Sequence, residues 1–170
     1  MRPPQWNPPI KLSKKEQKVV KRIRRAKLFI FLRDVRHDLF NEAFQTELGT
    51  IFKDSTVGKS PIPPAKLALA TILQAYMGVS DDEVIEELEM DRRWQLVLDC
   101  LDCEQAPFSK ATLVRFRAAL IAKGFDRRLI ETTVEMAHIQ GGFCDSEARR
   151  AKRRSLLERC SRFESLVGSC

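Results

Sequence analysis

From residue 13 to about residue 52 the chain contains no proline and one glycine, Gly49, while its apolar residues recur every three or four positions. Leu28, Leu32, Val35 and Leu39 form one such series. Phe40, Phe44, Leu48 and Phe52 continue it on a neighbouring face. Side chains return to the same side of an α-helix about every 3.6 residues and alternate across a strand, so this spacing calls for helix. It reads as one long helix or two in series. Ser13 is suited to cap its start, with Glu16 three residues on completing a capping box.

The same signals recur downstream. Gly58 and the run Ser60-Pro61-Ile62-Pro63-Pro64 mark a loop, and Pro64 suits the first turn of the next helix. That helix carries Leu67, Leu69, Ala70, Ile72, Leu73, Tyr76 and Met77 on most of its sides, which places it at the centre of the core. Gly78 fits its C-terminal cap. Ser80, with Glu83 three residues later, caps another helix whose buried stripe is Val84, Ile85 and Leu88. A further helical stretch surrounds Trp94, Leu96, Val97, Leu98 and Leu101. Pro107-Phe108 interrupts the pattern, and Ser109 caps a helix with Leu113, Phe116 and Leu120 on one face. Gly124 ends it, and Asp126 caps a last helix over 127–139. No stretch shows sustained strand alternation, so the fold class is all-α, a multi-helix bundle. Residues 67–88 have the outline of a helix-turn-helix hairpin.

The domain reading is an extended, Pro-rich, flexible arm over 1–12, a helical domain over 13–140, and a basic, disordered tail over 141–170. A length of 170 residues suits one domain with tails. The longest bulky apolar run is Leu28-Phe29-Ile30-Phe31-Leu32, too short for a bilayer, which needs about 20 residues. No apolar signal segment opens the chain, so a cytoplasmic location is expected. Five Cys, an odd number, then suggest reduced thiols.

Charge divides the chain. The net +7 arises from ten basic and one acidic group in residues 1–30, thirteen and eighteen in 31–140, and seven and four in 141–170. A basic head on a mildly acidic body points to a polyanionic partner, and Lys and Arg bind DNA by displacing its counterions. A basic segment that only aids solubility would look the same in composition. The helix over 81–91 carries seven acids and no base (Asp81, Asp82, Glu83, Glu86, Glu87, Glu89, Asp91), so it is repelled from a DNA groove. The candidate DNA-binding residues are therefore Lys14, Lys15, Lys18, Lys21, Arg22, Arg24, Arg25 and Lys27, with Lys110, Arg115 and Arg117 on the 109–123 helix. A solvated helix face accounts equally well for Arg115 or Arg117 alone.

Little else carries chemistry. The acidic run reads as a solvated face rather than a metal site. Cys100 and Cys103 form a lone Cys-x-x-Cys without the four ligands of structural zinc, and read as helix-packed thiols. His37 and His138 are isolated, and no Gly-rich phosphate loop occurs. No cofactor or metal is expected. Trp6 and Trp94 can stack on bases, though core burial suits Trp94 better.

Several ordered strings carry a resemblance. Gly58-Lys59-Ser60-Pro61-Ile62-Pro63-Pro64, Leu73-Gln74-Ala75-Tyr76-Met77-Gly78-Val79-Ser80-Asp81 and Arg93-Trp94-Gln95-Leu96-Val97-Leu98-Asp99-Cys100-Leu101 resemble the N-terminal helical domain of InsH-type insertion-sequence transposases. So do Pro107-Phe108-Ser109-Lys110, Leu113-Val114-Arg115-Phe116-Arg117, and the upstream Leu28-Phe29-Ile30-Phe31-Leu32-Arg33 and Arg36-His37-Asp38-Leu39-Phe40. The resemblance implies a helical part that helps bind double-stranded DNA at the terminal inverted repeats. It also implies a following RNase-H-like domain, whose Asp, Asp and Glu hold two divalent metals for strand cleavage and transfer. None of the acids here matches that triad, so the chain is expected to be a truncated copy and not an enzyme by itself. It would occupy element ends, self-associate or pair with a full-length transposase. Residues 159–169, back-translated one base forward, permit Val-Ala-Leu-Asp-Ser-Ser-Pro-Leu-Trp-Gly-Ala, which resembles the family's segment at its first catalytic Asp. From about residue 148 the chain is therefore expected to be a frameshift product. A helical protein–protein module, an inert remnant and a small thiol enzyme remain open alternatives.

Overall fold

The computed structural model describes residues 3–52 and 62–139, and these form eight α-helices with no strand among them. The order is α1 (Lys14–Arg22), α2 (Lys27–Leu39), α3 (Glu42–Gly49), α4 (Pro64–Met77), α5 (Asp81–Met90), α6 (Arg92–Val97), α7 (Lys110–Ala122) and α8 (Phe125–Ile139). The all-α expectation holds. The anticipated tail over 141–170, including the frameshift segment, lies outside the described residues.

The first stretch differs from the sequence reading. It breaks into three helices, with turns at residues 23–26 and 40–41. Asn41 explains the second break: extended at φ −63°, ψ 165°, it accepts a hydrogen bond from the Phe44 backbone N–H at 2.9 Å and starts α3 afresh. Both expected capping boxes are present, at Ser13 with Glu16 and at Ser80 with Glu83. Gly78 ends α4 at φ +69°. Helix α8 begins at Phe125, directly after Gly124.

One continuous apolar core runs from Trp6 to Leu129. Helix α4 is its axis, with ten of fourteen residues buried, and it packs against α3, α5, α6 and α7. Helix α7 lies across both arms of the α4–α5 hairpin, and α2 packs against α6 and α8. Trp94 is fully buried with its ring edge-on to Phe29. Cys100 and Cys103 lie in the loop after α6 rather than on a helix, the first buried and the second exposed.

The N-terminal arm is extended, as its prolines dictate, and residues 6–10 are held by specific contacts. Gln45 accepts from the Trp6 N–H at 2.6 Å and donates to the Trp6 carbonyl at 3.1 Å. Arg33 donates to the carbonyls of Ile10 and Pro9, and Arg36 also reaches the Pro9 carbonyl. The Trp6 ring lies beneath Arg36 at 5.3 Å and Lys66 at 5.7 Å. Both tryptophans are thus engaged inside the protein, and neither offers a face for a nucleobase.

Candidate nucleic-acid interface

Helix α1 has two chemically opposite sides. Glu16 and Val19 are buried, and Ile23 just beyond the helix joins them. At about 100° per residue, Lys14, Lys18 and Lys21 point directly away from that side. All three are exposed. Arg22, Arg24, Arg25 and Lys27 extend the exposed cationic surface through the turn into α2. Among the described residues, none of these seven side chains makes an ion pair or a hydrogen bond. Lys15 differs, because it pairs with Asp102 at 2.5 Å, both groups remaining well exposed.

Helix α1 keeps its orientation through one buried ion pair. Glu16 Oε1 accepts from Nε and Nη2 of Arg33, each at 3.2 Å, and both side chains are enclosed. Burial pushes the Glu16 carboxyl up, but the Ser13 N–H and the Arg33 guanidinium outweigh it and hold it below the usual carboxylate value. The neighbouring Arg36 is buried without a carboxylate. Its guanidinium donates to the Leu96 and Val97 carbonyls at 3.2 and 2.9 Å, at the C-terminal end of α6. Burial lowers its pKa to about 10.

The candidates on α7 are placed differently from those on α1. Arg117 is 8% exposed, donating to Gln74 Oε1 at 2.9 Å and to both Asp81 oxygens at 2.6 and 3.0 Å. The Arg117 hydrogen bonds hold the Asp81 carboxyl below its ordinary value. This buried arginine, ion-paired to Asp81, is a strut between α7 and the hairpin. Lys110 pairs with Asp82 at 2.7 Å in solvent. Arg115 is exposed and turns its Nε back to the Ala111 carbonyl at 3.1 Å. Lys14, Lys18, Lys21, Arg22, Arg24, Arg25 and Lys27 are thus exposed and without ion-pair partners among the described residues, whereas Lys110 and Arg117 are ion-paired.

Sequence reasoning missed Arg92 and Arg93 at the start of α6. They close a cleft of about 550 Å³ opposite Arg22, Arg24 and Arg25. The signal was present in the Asp91-Arg92-Arg93 string, two adjacent arginines directly after the run of acids. The same string also lines an adjoining groove of about 500 Å³, together with Glu83, Glu86, Glu87 and Met90. Among the described residues no three His, Cys, Asp or Glu side chains gather to hold a metal ion. None of the described helices is long and apolar enough to cross a membrane.

A helical domain with an unpaired cationic surface belongs to a recognisable class. Residues 17–119, from α1 through most of α7, match the family described as Transposase domain (DUF772). The match covers more than half of the chain, and the chain belongs to this transposase-domain family. No curated protein and no solved structure matches it.

Proposed function

We propose that this chain is the helical DNA-binding part of a DDE-type insertion-sequence transposase of the InsH kind, gripping terminal-repeat DNA through α1 and the turn into α2. The observation that carries the reading is the set of seven exposed cations without partners among the described residues, three on the side of α1 opposite its buried face and four from its last residue through the turn into α2. Paired charges contribute little to counterion release, whereas unpaired ones contribute fully. Arg117 enters this reading as a brace for the hairpin, and Lys110 and Arg115 as secondary contacts. The metal-holding acids belong, by the resemblance, to a second domain, so the chain alone binds DNA without cutting it. That makes it a competitor for element ends or a partner for a complete transposase.

The test is binding of the purified chain to a fluorescent terminal-repeat duplex across a salt series. Deleting residues 1–27 would strip Glu16, Val19 and Ile23 from the core, so neutralisation is the cleaner variant. Lys14→Gln, Lys18→Gln and Lys21→Gln together are expected to weaken binding and to reduce the log–log salt slope by about 2.7, roughly 0.9 for each contact. Absence of binding in dilute buffer refutes the reading. With divalent metal added, no strand cleavage is expected, and cleavage traceable to the chain refutes the division of labour.

A further inference from the structure

The cleft between the α1–α2 turn and the start of α6 has a floor and a rim of opposite character. Val19, Ile23 and Ala26 form an apolar floor, while Arg22, Arg24, Arg25 and Arg92 stand around it. All four arginines are exposed, and among the described residues none has an ion-pair or hydrogen-bond partner for its guanidinium. The remaining charged lining is Asp91 and Arg93, and they satisfy each other. Arg93 Nε donates to the two Asp91 oxygens at 3.0 and 2.8 Å and Nη2 to one of them at 2.5 Å, with the guanidinium 5.0 Å from the Phe29 ring centre. The one carboxylate at the cleft is therefore already neutralised. Four arginines around one cleft, none of them ion-paired, repel one another, an arrangement that favours an anionic occupant.

We propose that this cleft is a seat for a DNA sugar-phosphate strand, with Arg92 as an unassigned phosphate contact that joins α6 to the α1–α2 surface. The inference rests on the DNA-binding reading above and adds a location to it. Phosphates lie against the arginine rim, and the deoxyribose carbons lie on the Val19, Ile23 and Ala26 floor. A planar guanidinium donates two parallel hydrogen bonds to a phosphate, which fixes the strand's register more firmly than a lysine does. Glu83, Glu86 and Glu87 in the adjoining groove, which Arg92 also lines, repel the strand and favour the cleft side.

The experiment measures binding of the full chain to a fluorescein-labelled duplex of arbitrary sequence, since phosphate contacts do not depend on sequence. Arg92→Gln and Arg24→Gln are compared with Arg127→Gln, an exposed arginine on α8 outside the cleft. Circular dichroism confirms that each variant folds. Each cleft variant is expected to lose about eightfold in affinity at roughly 0.1 M salt and about 0.9 in salt slope. Arg127→Gln should keep both. As a charge-neutral check, Ala26→Leu, which fills the floor, should also weaken binding. If the parent chain binds DNA and the Arg92 and Arg24 variants bind as tightly, the cleft proposal is overturned while the DNA-binding reading stands. If the parent chain ignores DNA in dilute buffer, both fall together.

Discussion

Glu16 shows how one side chain ties a surface to the core. Its backbone is part of the helix that presents the lysines, and its carboxylate anchors that helix to α2 through Arg33. Removing one partner of an enclosed pair leaves the other charge buried and unmatched, which costs about 3–5 kcal/mol. Domains of this size are stable by about 5–15 kcal/mol, so Glu16→Gln should lower the denaturation midpoint sharply in a urea titration followed by circular dichroism. The sequence displayed half of this role, because Ser13 and Glu16 at capping-box spacing are visible in one short window. The partnership with Arg33 was hidden, since it depends on how α1 folds back on α2. A second test concerns the thiols. Burial pushes Cys100 up to about 11, while Cys103 is exposed. Iodoacetamide at about pH 8 should label Cys103 and spare Cys100 in the native protein, as read by peptide mass spectrometry.

At the scale of elements, the α4–α5 hairpin was the most legible part. Pro64, Gly78, Ser80 and Glu83 each occupy the position that their local chemistry suits. Gly78→Ala should cost about 1–2 kcal/mol, because φ is +69° there and no heavy atom within 4 Å would crowd the new methyl group. The breaks around α2 were less legible, since the apolar series runs on across Asn41 and only a cap, not a Gly or Pro, interrupts it. The exit from α6 was hidden for a similar reason: Asp99 takes φ +54°, a conformation that a sequence reader assigns to glycine. One buried tie between the hairpin and α7 is Arg117 with Asp81, 36 positions apart. The Asp81 pKa is depressed in the folded chain, so its contribution is present at neutral pH and is lost as pH falls below about 4 towards the folded value. Asp81→Asn should therefore lower stability at pH 7 and flatten the acid limb of the stability–pH curve, measured by urea denaturation at successive pH values.

Among the described residues, two surfaces of opposite charge meet at Asp91, Arg92 and Arg93. Arg22, Arg24 and Arg25, without partners among the described residues, stand on the α1–α2 side, and Glu83, Glu86 and half-buried Glu87 stand on the α5 side, with Met90 85% exposed beside them. The sequence had reported the two charge blocks but not that they are neighbours, because more than fifty residues separate them along the chain. Adjacency turns composition into direction. On the proposed DNA-binding reading, α5 is a repulsive edge that limits how far a duplex on the cationic side can roll across the domain. Glu86 is exposed on that edge and has no ion-pair partner among the described residues. Glu86→Gln should therefore tighten binding of an arbitrary duplex about two- to threefold at low salt. The gain should fade as salt rises, because the Debye length shrinks from about 30 Å at 0.01 M to about 8 Å at 0.15 M. A helical module that uses α5 to hold a basic protein predicts the reverse: Glu86→Gln weakens partner binding and leaves DNA affinity untouched. One substitution measured by anisotropy at two salt concentrations thus separates the two uses of the same surface.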